Sequence, residues 1–66
     1  MRTRDEIEAE LDRLGWKITA GPSQTAIGWE GTVSRGTVNV KLTDWTELSL
    51  LEAMLRHAER KAGGGS

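Results

Sequence analysis

Sixty-six residues provide for one small domain with one core, and a chain this short buries only about 60% of the surface its unfolded form exposes. Nine basic against ten acidic residues leave a formal net charge of −1, which argues against a dedicated duplex-binding surface, normally clearly basic. Cysteine is absent, so neither disulfide nor thiolate metal site can staple the chain. No apolar run is long enough to cross a bilayer and no signal peptide is visible, so the expectation is a cytoplasmic protein with no membrane partner.

The first element in chain order is a helix. Thr3 suits its N-cap, Glu6 completes a capping box, and Asp5 adds favourable charge in the first turn. Ile7, Leu11 and Leu14 fall on one face. Gly15 stops the helix, and Trp16 is placed to pack back on Leu11. Residues 16–20 alternate apolar and polar, which predicts a short strand with Trp16 and Ile18 inward. Gly21-Pro22-Ser23-Gln24 predicts a turn, because Pro22 lacks an N–H and fixes its own φ.

Residues 25–34 predict a second strand with Ile27, Trp29, Gly31 and Val33 on one face. Gly28 and Gly31 suggest a bulge, or close approach of a helix or ligand. Ser34-Arg35-Gly36 turns the chain into a third strand, in which Val38, Val40 and Leu42 alternate with polar residues. At Thr43 the period changes, and Leu48, Leu51, Leu55 and Ala58 recur at helical spacing. Asp44 suits the N-cap of this second helix, which runs from about Trp45 to about Lys61, with Glu47 completing a capping box. Glu52 and Arg56 are spaced for an ion pair one turn apart. The predicted fold is thus α+β, in the order αβββα. It is one domain over residues 3–62, with two helices on one face of a three-stranded antiparallel sheet. On its wet face are Lys17, Thr19, Glu30, Thr32, Asn39 and Lys41. Residues 63–66 read as a linker or tag remnant, although Gly63 also suits a helix C′ position.

The order and size resemble the double-stranded-RNA-binding domain, in which a Gly-Pro often falls between the first two strands. Where that family carries a lysine cluster, at the start of its second helix, this chain has Asp44-Trp45-Thr46-Glu47, whose carboxylates repel phosphate. The closer resemblance is to HicA-type mRNA interferase toxins, which share that fold. Residues 4–18, RDEIEAELDRLGWKI, are similar to the family's first helix and its Leu-x-x-x-Gly-Trp exit. Gly21-Pro22-Ser23-Gln24 sits where the family has a Gly-Ser-His loop. Val38-Asn39-Val40 through Leu50-Leu51-Glu52-Ala53-Met54-Leu55 is similar to its third strand and closing helix.

The resemblance implies an endoribonuclease that works through the histidine of that loop, and a cognate antitoxin as partner. Here the histidine's position is Ser23 or Gln24, according to the alignment, and neither titrates near neutrality. The expectation is therefore an RNA-interferase-type domain without its catalytic histidine, acting through RNA or antitoxin contact. The alternative is a small protein-interaction module or engineered scaffold with no RNA role.

Gln24, Lys17, Arg35 and Lys41 are the candidates for contact with single-stranded or messenger RNA. Trp45, Leu50, Met54 and His57 are the candidates for a partner or a second copy of the chain. Leu50 and Met54 are either part of a wide core face or an exposed apolar edge. Trp16 and Trp29 share the phase of the inward residues, whereas Trp45 falls off the helix stripe and is the candidate exposed aromatic. The single histidine has no neighbour at ligand spacing, so no metal site and no cofactor are expected.

Overall fold

The computed structural model describes residues 3–63. The elements are α1 (Arg4–Arg13), β1 (Lys17–Thr25), β2 (Gly28–Arg35), β3 (Val38–Asp44) and α2 (Glu47–Gly63). The three strands form one antiparallel sheet in the order β1-β2-β3. Both helices pack on the same face, where Ile7 and Leu11 of α1, Trp16, Val33 of β2, and Leu50, Leu51, Met54, Leu55 and Ala58 of α2 make one buried cluster. The α+β fold in the order αβββα is therefore the fold of this chain. Residues 64–66 of the expected linker lie outside the described residues, and Gly63 is the last residue of α2.

The ends of α1 follow from its sequence. Thr3 and Glu6 satisfy each other's backbone N–H groups in a complete capping box. At the other end the N–H of Trp16 donates to Leu11 O at 2.8 Å and that of Gly15 to Asp12 O at 3.0 Å, the paired bonds of a Schellman motif. The motif turns Trp16 under the helix and into the core. Arg4 of α1 reaches Glu47 of α2 at 3.6 Å, so both helices begin at the same end of the sheet and run parallel.

Three expectations need correction. The Gly21–Pro22 segment is not a turn. β1 continues through it to Thr25, and Pro22 is half-buried. Two one-residue irregularities, between Ile18 and Ala20 and between Ala20 and Ser23, absorb the misfit. Gly21 makes the second possible: its φ is +73°, and a Cβ there would lie 2.5 Å from Glu30 O. The chain reverses instead at Ala26-Ile27, with Thr25 opposite Gly28, and Ile27 is 81% exposed where an inward position was expected.

The second correction is the start of α2. Asp44 still belongs to β3, opposite Trp29, and its Oδ1 accepts the Trp45 N–H at 2.7 Å. The cap is Thr46, whose Oγ1 accepts the Ser49 N–H at 3.1 Å and whose carbonyl accepts that of Leu50. Third, Glu52 and Arg56 make no ion pair; both can stay solvated at little cost, since such exposed pairs contribute little.

The inner face of α2 is centred on Leu51, Met54 and Ala58, with Leu48 and His57 half-buried at its two margins. Gly31 accounts for the position of that face. A Cβ on Gly31 would meet Met54 Cε at 2.5 Å and Leu50 Cδ2 at 3.5 Å, so the missing side chain is the space these two occupy. The opposite sheet face carries polar residues: Thr19 Oγ1 lies 3.2 Å from Ser34 Oγ, Ser34 donates to Asn39, and Lys41 pairs with Glu30 at 3.4 Å.

Candidate functional site

Strand register builds the candidate site. Gln24, Trp29 and Asp44 stand opposite one another across the three strands, at the end where β1 turns into β2 and β3 leaves for α2. Directly opposed residues of an antiparallel sheet share a face, so these three form a row on the helix side. The row lies beyond the buried cluster: Gln24 is exposed, and Trp29 and Asp44 are half-buried. Two connections frame it. The Ala26-Ile27 turn lifts Ile27 out on one side, and the bend at Trp45 swings an indole out on the other, leaving it 80% exposed. Between them is an open groove of about 640 Å3 whose walls include Ile27, Trp29, Glu30, Asp44 and Trp45.

Three carboxylates lie at this end of the sheet, and two of them already face cations. Glu30 faces Lys41, and Glu47 faces Arg4. Asp44 accepts only the Trp45 N–H and has no cationic partner among the described residues. A hydrogen bond to Glu8 holds the Arg4 guanidinium above its ordinary value, and one to Glu10 does the same for Arg13.

The residues expected to contact RNA do not converge. Gln24 belongs to the groove end. Lys17 pairs in register with Ser34 at the other end of the sheet, and the Arg35 guanidinium stacks 5.4 Å from the centre of the Trp16 ring. Lys41 lies on the outer face with Glu30. Ser23, the other position aligned with the family's histidine, sits opposite Glu30, whereas Gln24 sits opposite Trp29. Both are exposed residues of β1 and not of the loop that the resemblance implies.

The residues expected to contact a partner divide in two. Trp45 is exposed and lines the groove. Leu50 and Met54 are fully buried beneath Gly31, so the apolar edge for a partner or second copy is absent there and both belong to the core. His57 is half-buried, its ring 5.6 Å from that of Trp16 and nearly perpendicular to it. Its Nε2 and the Trp16 Nε1 are buried without a hydrogen-bond partner among the described residues. Among the described residues no group of three His, Cys, Asp or Glu side chains could hold a metal ion, and no helix is long and apolar enough to cross a membrane.

Sequence reasoning missed Ile27, Trp29 and Asp44 as members of one site. Trp29 was legible as a partly inward residue, but its neighbours depend on where the hairpin turns. No family model, curated protein or solved structure matches this chain.

Proposed function

We propose that this chain is a protein-interaction domain that docks a partner in the groove between Ile27 and Trp45. One observation carries the reading: among the described residues, two of the three large apolar side chains left in solvent, at 81% and 80% exposure, flank the same groove and the half-buried Trp29. Such a concentration of apolar surface at one place is characteristic of interfaces, and tryptophan is prominent among the residues that dominate binding. The absence of a convergent basic surface supports protein rather than nucleic acid as the partner.

The test is capture from the source cell extract, scored for both protein and RNA. The unaltered domain is compared with Trp45→Ser and Ile27→Ser, which are expected to stay folded and within about 0.5 kcal/mol of the parent stability, as exposed substitutions usually do. Both should lose the captured protein. Capture that is unchanged in both variants would sink the proposal.

A second reading takes up the HicA-like comparison, whose expected fold has the same αβββα order. On that reading the partner is a cognate antitoxin, and Gln24, exposed beside the groove, stands for the missing histidine. Gln24→His should then confer RNA cleavage and growth inhibition. A well-folded variant that cleaves nothing counts against it, and so does an RNA affinity that is unmeasurable at low salt.

A further inference from the structure

We propose that the groove selects an arginine carried by the partner, with an apolar neighbour beside it; this rests on the docking reading above. Three kinds of occupant are distinguishable by what they do to Asp44. A purely apolar segment covers the carboxylate and strips its water without replacing it, which is unfavourable. A phosphate or acidic side chain meets the carboxylate of Asp44, which has no cationic partner among the described residues, and is repelled. A cationic side chain pairs with Asp44 and lies against the indoles of Trp29 and Trp45.

Arginine fits better than lysine. Its planar guanidinium stacks on an aromatic face and can still present its fork of donors to a carboxylate. The chain itself uses half of this chemistry at the other end of the sheet, where Arg35 stacks 5.4 Å from the centre of the Trp16 ring. Among the described residues no cation does the same for Asp44: Arg4 is held by Glu8 and Glu47, and Lys41 by Glu30. At about 640 Å3 the groove exceeds one side chain, and exposed Ile27 supplies the wall for the apolar neighbour.

The probes are acetyl-Ile-Arg-Ile-amide and the same tripeptide with citrulline, which keeps the shape and removes the charge. Binding is read from the indole N–H resonances of Trp29 and Trp45 in the full chain. The arginine peptide should shift both and bind about threefold to tenfold more tightly than the citrulline peptide. In Asp44→Asn, which keeps an oxygen for the Trp45 N–H, that preference should collapse. Equal affinity for the two peptides overturns the arginine assignment and leaves groove docking standing. A preference that survives intact in Asp44→Asn overturns the role of Asp44 and with it the assignment. If neither peptide moves either indole, the inference and the docking reading both fall.

Discussion

Gly31 is where a single atom decides how closely the layers approach. Its partner residue across β3 is Leu42, and above it lie Leu50 and Met54 of α2. Gly31→Ala would set a methyl group 2.5 Å from Met54 Cε and 3.1 Å from Ala20 O, distances at which something must move. The Met54 terminus is a flexible end that can swing aside, whereas the Ala20 carbonyl is backbone and can yield only by moving β1. The expected cost is about 1–3 kcal/mol in urea unfolding, the range for overpacking. Combining it with Met54→Leu, which lacks the colliding methyl, should recover about 1 kcal/mol in a double-mutant cycle; strict additivity would show that Met54 is not the obstacle. The same glycine explains why Leu50 and Met54 read ambiguously. Their apolarity is plain in the sequence, whereas the hollow that receives them exists only once β2 and α2 are stacked.

At the level of elements, the two helices were legible in advance because each repeats apolar residues at its own turn length and α1 carries both of its end signals. The hairpin between β1 and β2 was not. Its turn, Ala26-Ile27, has neither glycine nor asparagine at its centre, while Gly21-Pro22, five residues earlier, has the composition of a turn and lies inside a strand. That displacement put Ile27 inside a strand instead of at the turn and hid the groove, whose members meet only through the register Gln24, Trp29, Asp44. The start of α2 shows a similar contest. Asp44 and Thr46 are both good caps, and the strand claims Asp44 first, because pairing with Trp29 holds it extended. Thr46→Ala should therefore lower stability by about 1 kcal/mol, measured by thermal or urea unfolding. A negligible change would mean that the helix start is held by something other than the Thr46 hydroxyl.

For the molecule as a whole, the separation of core from groove is the property that makes the docking proposal testable by substitution. Trp45 and Ile27 stand clear of the buried cluster, so altering them should change binding and spare folding. Leu50 and Met54 sit inside it, fully buried. Leu50→Glu or Met54→Glu places an ionisable group among apolar side chains, at a cost above about 4 kcal/mol, comparable with all the stability a core of this size supplies. Both variants should lose their circular-dichroism signal at room temperature; a folded, helical Leu50→Glu would show the burial to be wrong. The parallel course of the helices has a further result for anyone who handles the domain. The chain enters α1 beside the groove; α2 also begins at that end, and its seventeen residues carry the chain roughly 25 Å along the helix axis before it ends. A bead, a fusion partner or a surface attached after Gly63 therefore sits at the far pole and leaves the tryptophans facing outward, whereas an attachment ahead of Thr3 crowds them.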